Sequence, residues 1–351
     1  MKRKNIRKMA AVFAAVGFGV LAVIYPSAVV GGVGAGLETC VGVVVPSLFP
    51  FMVISSFVSG LPASDKIAKV ASPVMRYIFR LPAAAFPALV FGLIGGFPVG
   101  CSVAAELYMQ GKIEREHAQR LTLFSVNAGP AFTVTAVGAV MLGSVQMGAV
   151  LFASVCAASL ITAVLIGFMS PVPKKECLNF EEAKPISAVL VSSVERSAYT
   201  MLGICAWVTA FSCLFSLLGV VGLSERVVSV IKCICEVTCG CSIIAQSGNI
   251  YAVAATLGWS GLCVICQVIG FVQKVGTPLK LFLAFRAVIA ALTAVICRLI
   301  LYFIPVETSV FLSLDGNVGG ELFSASAPAA VALMCLCAVF VIDLDRTRKL
   351  C

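Results

Sequence analysis

The sequence predicts an all-α, polytopic membrane protein of about seven to nine membrane segments, including two re-entrant helical hairpins within an inverted repeat. Three observations predict it. Hydrophobic residues make up 60% of the chain, charged residues only 12%, and the mean hydropathy is +1.07, whereas a soluble domain carries roughly a quarter charged residues. The apolar residues fall into charge-free runs long enough to cross a hydrocarbon core of about 30 Å, which takes roughly 20 helical residues. The basic residues behind the net charge of +9 gather at the ends of those runs, as cytoplasmic loops require. No length is left for a separate soluble domain.

The chain opens with Lys2, Arg3, Lys4, Arg7 and Lys8, and an apolar run follows over residues 9–30. That run is too long for the apolar core of a signal peptide and reads as an uncleaved first helix with its N-terminus in the cytoplasm. Residues 41–61 form the next segment, kinked at Pro46 and Pro50, whose freed carbonyls must be satisfied by neighbouring helices. Residues 62–82 carry Lys66, Lys69, Arg76 and Arg80 and lie along the cytoplasmic surface instead of crossing. Residues 81–105 carry no charge, and a second basic flank follows at 111–120 with Lys112, Arg115 and Arg120. Two cytoplasmic flanks imply that the run turns back, as a re-entrant hairpin broken at GGFPVG, residues 95–100. Residues 121–173 suit two crossings with a turn at Gly143 and Ser144, and the mixed-charge loop 174–185 separates two halves.

The second half begins with a short polar-faced piece ending at Glu195 and Arg196, followed by a span over 197–224. After the charged segment 225–236, the run 237–273 is too long for one straight helix and short for two. A second re-entrant hairpin broken at GWSG, residues 258–261, fits that length. Segments at 279–304 and 322–342 complete the chain. Setting Gly100 on Gly261 pairs Val103 with Val264, Glu106 with Gln267 and Phe124 with Phe285, a faint repeat of the kind that carriers with a midplane site show. Full inversion puts the acidic loop 305–324 inside and Arg346, Arg348 and Lys349 outside, against the positive-inside rule, so the side of the C-terminus stays open. The expected organisation is an N-terminal helix (1–36), a first repeat (37–173), a cytoplasmic linker (174–196), a second repeat (197–304), and a C-terminal loop, helix and basic tail (305–351).

A helix broken at membrane depth exposes the N–H end of its second half, which attracts anions. The binding candidates on that ground are Gly100, Cys101 and Ser102 behind the first break, Asn127, Ala128 and Gly129 in the NAGP string, and Ser260 and Gly261 at the second break. The other reading of these glycines is close helix packing alone. Glu106 either serves an ion or proton pathway, as buried membrane carboxylates do, or reaches water from a helix end; Gln267 is its neutral counterpart. Arg286, about two turns inside its segment, either faces a cavity and grips a carboxylate through two N–H groups or snorkels to the interface. Arg298 snorkels.

The sixteen cysteines lie mostly within apolar runs and read as small packing residues, not as a disulfide framework. Cys233, Cys235, Cys239 and Cys241 match a thiolate metal site in number, but their spacing is CxC, not CxxC, and the single histidine, His117, sits in a polar loop. No metal and no cofactor is therefore expected. The chain has no HExxH, GxSxG or Walker pattern, which argues against an enzyme and against ATP hydrolysis, and no nucleic-acid motif accompanies its positive charge.

The strings VVPSLFPFMVIS, GLIGGFPVGCSVAAELYMQGKI, AQRLTLFSVNAGPAFTVTAVGAVMLG and GWSGLCVICQV resemble the YlbJ family of sporulation integral membrane proteins. That family carries a nucleoside-recognition, or Gate, domain also seen in other membrane transport proteins. The most specific part is GFPxG, then a basic turn with AxRL, then NAGP, in that order and spacing. The resemblance implies a role in endospore formation, in the cell membrane or the forespore membrane, and transport of dipicolinate, a small aromatic dicarboxylate. The GWSG motif and the short hydrophilic tail depart from the family pattern.

Three functions follow: a secondary carrier for a small organic anion working by alternating access around two hairpins, a non-transporting membrane component of a sporulation assembly, and a nucleoside-type transporter. Helix breaks at membrane depth favour the carrier, because they are costly unless they line a cavity. The expected partners are the lipid bilayer and the anion; a coupling ion and a second copy of the chain are further candidates.

Overall fold

In the computed structural model, which describes residues 2–173 and 185–304, every regular element is helical. Helices α1 (Lys2–Ile24) and α2 (Pro26–Thr39) meet at Tyr25, where Val16–Ile24 and Pro26–Gly42 are bent by 103°. The uninterrupted span expected over 9–30 is therefore broken. Pro26 has no N–H to continue the ladder, and its ring drives Tyr25 out of the helical region. From α2 the chain passes through a π-turn (Cys40–Val44) into α3 (Val45–Gly60). The wide turn lies just ahead of Pro46, whose ring would otherwise collide with a carbonyl one turn back. Helix α4 (Pro62–Tyr77) occupies the basic stretch expected at the surface.

The first hairpin forms as expected from α5 (Phe86–Ile94) and α6 (Phe97–Met109), which pack together. Gly96, at φ +88° and ψ 172°, makes the reversal in a conformation that a side chain would strain. Nine residues carry α5 about 14 Å, roughly half of the hydrocarbon core. Arg120 donates to the carbonyls of Phe79 (2.7 Å) and Arg80 (2.8 Å), so the hairpin's entrance and the basic turn after its exit share one face. Cysteines introduced at Ser72 and Glu116, in a background without reactive thiols, should therefore be labelled by an impermeant maleimide from the same side. Labelling from opposite sides would eliminate the hairpin.

Helix α7 (Arg115–Phe124) is followed by non-helical residues 125–129, then Pro130 and a π-helix (Ala131–Met141). The turn falls where the sequence places it: Gly143 has φ +64°, and the hydroxyl of Ser144 accepts from the Met147 N–H (3.1 Å) to cap α8 (Val145–Phe168). Helix α9 (Ile186–Val220) is a single element of 35 residues, not a short piece followed by a span; no proline or glycine near Arg196 interrupts its ladder. It packs along α2 and α3. A Cβ on Gly32 or Gly36 would lie 2.7 Å from the Cα of Cys213 or Thr209, so this GxxxG pair lets the two backbones touch.

Next come α10 (Glu225–Cys235), α11 (Val237–Gln246), α12 (Ile250–Trp259), α13 (Gly261–Val275) and α14 (Leu279–Phe303). The second re-entrant hairpin expected at 258–261 is not formed. Helices α12 and α13 run on as one apolar span of 26 residues, Ile250–Val275, interrupted at two consecutive residues of positive φ, Ser260 (+75°) and Gly261 (+80°). The residues that made the run look like a hairpin belong to α11, whose N-terminus is capped by the Glu236 carboxylate through the Thr238 and Cys239 N–H groups (3.0 and 2.6 Å). Among the described residues, four helices are long and apolar enough to cross a membrane, and the bent α1–α2 pair makes up to five. Shorter apolar helices such as Ala83–Ile94 and Ala131–Met141 accompany them. The linker residues 174–184 and the C-terminal residues 305–351, with the expected segment 322–342, the acidic loop and the basic tail, lie outside the described residues.

The order of elements recurs in the two halves, but in a different register from Gly100 on Gly261. Helix α7, a break, the π-helix, a short turn and α8 are matched in order by α12, a break, α13, a short turn and α14. Arg115 falls on Ile250, Phe124-Ser125 on Trp259-Ser260, and Val145 on Leu279. The two sets are antiparallel: Arg115 and Gln119, at the start of α7, donate to the carbonyls of Val275 (3.0 Å) and Gly276 (2.8 Å), at the end of α13.

Candidate functional site

Helix α7 ends at Phe124 and α12 at Trp259, and the last carbonyls of a helix carry the negative end of its dipole without helical partners. One cation meets both ends. Arg286, about two turns into α14, is completely buried. Its Nη1 donates to the Val126 carbonyl and to the Ser260 hydroxyl (3.4 Å), and its Nη2 to the Leu123 carbonyl (3.3 Å). The guanidinium carbon stands 6.0 Å from the centre of the Phe282 ring, and the Nε–H has no partner. Among the described residues no carboxylate pairs with it. The side chain therefore turns inward and does not snorkel.

Asn127 holds the α7 break open. Its amide nitrogen donates to the carbonyls of Gly92 (3.0 Å) and Phe124 (2.9 Å) and to the Ser159 hydroxyl (3.0 Å), while Ser159 itself donates to Phe124. These contacts tie α5, α7 and α8 to one point and satisfy a carbonyl that the interrupted helix cannot. The Asn127 carboxamide oxygen is left without a partner although the residue is 1% exposed. Ala128 is fully buried, and a Cβ on Gly129 would come within 3.0 Å of the Gly96 nitrogen and the Ile94 carbonyl. The tip of the hairpin therefore rests on the α7 break. At the other break, Ser260 is fully buried at φ +75°, a conformation costly for a serine and characteristic of functional sites. Gly261 packs its α-carbon on the joint between α10 and α11, 3.0 Å from the Cys235 carbonyl once a Cβ is added.

The remaining candidates fall elsewhere. Helix α6 starts at Phe97, so the amides of Gly100, Cys101 and Ser102 lie within the helical ladder and not at its exposed end. Gly100 is a packing residue, facing Gly92 and Ser125. Cys101 is buried with its thiol 3.8 Å from the Thr122 carbonyl, and Ser102 is partly exposed. Glu106 is no buried carboxylate: it is partly exposed, pairs with Arg196 of α9 and accepts from Gln110 (2.8 Å). Gln267 donates to the Cys263 thiol (3.4 Å). Neither contacts Arg286. Glu106→Gln should cost no more than about 1 kcal/mol of stability, as exposed ion pairs do, leaving the melting temperature of purified protein nearly unchanged. Among the described residues no group of three or more histidine, cysteine or acidic side chains is placed to hold a metal ion. Sequence reasoning missed Ser159, Leu123, Val126 and Phe282; only Ser159, a polar residue in an uncharged helix, carries any signal.

No family model and no solved structure matches the chain. It is similar to the sporulation integral membrane protein YlbJ of Bacillus subtilis (strain 168), at 24% identity over 308 residues, covering 76% of each chain. With an all-helical fold and apolar helices of crossing length, the protein is a polytopic integral membrane protein similar to that relative.

Proposed function

We propose that this protein carries a small organic anion across the membrane of a sporulating bacterium, with dipicolinate as the substrate that its sequence resemblance implies. The observation that supports this is Arg286, a fully buried guanidinium at the meeting point of two broken helices with no carboxylate beside it. A buried cation held by carbonyl and hydroxyl oxygens but by no counter-charge still carries a desolvation cost, and an incoming carboxylate offsets it. The unspent Nε–H, with a neighbouring Nη proton, offers the two parallel bonds by which arginine grips a carboxylate. The N–H ends of the helices behind the breaks, starting at Ala131 and Gly261, add favourable dipoles for an anion. The name of the relative supports the sporulation role. The face that carries Arg80, Lys112, Arg115 and Arg120 is the cytoplasmic one by its charge, and the basic N-terminus lies on the cytoplasmic side too. The chain binds and moves its substrate without changing it.

The test is uptake of labelled dipicolinate into proteoliposomes of the purified protein. Saturable uptake is expected, inhibited by other pyridine or benzene dicarboxylates and not by uncharged nucleosides, which gain nothing from Arg286. Uptake no greater than in protein-free liposomes, with the protein correctly inserted, would remove the carrier and favour a scaffold; inhibition by nucleosides would favour a nucleoside transporter.

A further inference from the structure

The acceptors around Arg286 form a set of their own. They are the backbone carbonyls of Leu123, in the last turn of α7, and of Val126, in the break just beyond it, and the hydroxyl of Ser260, at the C-terminal end of α12. Helix α7 ends at Phe124 and α12 at Trp259, so the negative ends of two helix dipoles meet at the one guanidinium. Oxygen acceptors from interrupted helices at such a place are the surroundings that broken-helix carriers offer to a sodium ion or a proton. Here the chain puts its own cation there.

We propose that the junction is a guanidinium-selective cation site that the chain fills with Arg286, so that no alkali-metal ion is needed to hold the two broken helices together. Selectivity comes from the fork. Val126 and Ser260 are reached from one nitrogen and Leu123 from the other, an arrangement that suits a planar, two-pronged donor rather than a spherical ion. The Phe282 ring adds an aromatic face at 6.0 Å, which favours a delocalised cation. The repeat is asymmetric at this point: in the register that sets Val145 on Leu279, Arg286 falls on Phe152 of α8. A single cation serves both helix ends, and a second one would repel it.

The test uses the purified full-length Arg286→Ala variant and reads thermal unfolding without any transported substrate, so its failure is separable from failure of the carrier reading. At constant ionic strength, low-millimolar guanidinium is compared with sodium, potassium and tetramethylammonium. Guanidinium should raise the melting temperature of Arg286→Ala saturably, by roughly 2–4 °C, and leave the wild type unmoved. A response equal to that of tetramethylammonium would overturn the site, and an equal response to sodium or potassium would overturn its selectivity. Should Arg286→Ala accumulate poorly in the membrane, guanidinium in the growth medium should raise its level specifically; an unraised level counts against the proposal. Arg286→Lys supplies the second variant: its ammonium already occupies the junction, and a guanidinium-dependent rise there would also overturn the site.

Discussion

Replacing Gly100 by alanine should remove most of the folded protein from the membrane. A Cβ at this position would stand 2.6 Å from the Cα of Gly92 and 2.7 Å from the Cβ of Ser125, and would press on the Ser125 carbonyl. These are chiefly backbone obstacles, which cannot turn aside as the end of a flexible side chain can. Overpacking ordinarily costs about 1–3 kcal/mol and more where nothing yields, against a total stability of about 5–15 kcal/mol. The displacement also reaches the site. Ser125 opens the α7 break, so pushing it disturbs the Leu123 and Val126 carbonyls that Arg286 bonds. From sequence alone, a bulky residue at Gly100 is expected to block an anion site in a protein that still accumulates; with Gly100 inside the helix and against two neighbours, loss of accumulation is expected even for alanine. Gly203→Ala, in open space on α9, is the control and should be neutral. The level and melting temperature of the monodisperse detergent-solubilised protein decide it: wild-type values for Gly100→Ala would show that the hairpin arms are not packed this closely.

Some of this architecture is legible in the residues and some is not, for physical reasons that differ from place to place. The hairpin at Gly96 is legible because two kinds of signal agree, the Gly-Gly-Phe-Pro break and the basic residues on both flanks. Hydropathy hides the bend at Tyr25, since it counts Pro26 as one more residue of low polarity. The break at Ser260 is visible, but whether the chain turns back there is not: Ser260 and Gly261, both at positive φ, interrupt a helix without reversing it. Glu236 carried the missing clue, because an acid directly before an apolar stretch is a helix cap. Counted as the end of a charged segment, it conceals the start of α11. The letters of the repeat mislead, since glycine, valine and phenylalanine recur everywhere in so apolar a chain. Helix lengths carry it instead, and only Phe124-Ser125 over Trp259-Ser260 survives in sequence. The depth of Arg286 is legible; its partners are not, because they are main-chain carbonyls of a break 160 residues earlier in the chain, and every residue has a carbonyl.

Exchanging Arg286 should therefore have two consequences that rank differently. For anion affinity the expected order is wild type, then Arg286→Lys, then Arg286→Gln. Lysine keeps the charge and loses the planar fork, for which about a tenfold weakening, or about 1.4 kcal/mol, is expected; glutamine loses both and should weaken binding further. For stability the deciding quantity is how many of the Leu123, Val126 and Ser260 oxygens stay bonded. One ammonium does not reach across all three as the fork does, and each buried acceptor left bare costs about 1–3 kcal/mol. Arg298, exposed on the same helix, sets the baseline, and Arg298→Gln should change neither quantity appreciably. Dipicolinate affinity and melting temperature, measured on the same correctly inserted preparations, separate the two roles. Unchanged affinity in Arg286→Gln with a lowered melting temperature would leave Arg286 as the internal cation of the broken helices and take it out of the anion site. Lysine equivalent to arginine in both measurements would mean that charge alone matters here and that the fork geometry contributes nothing.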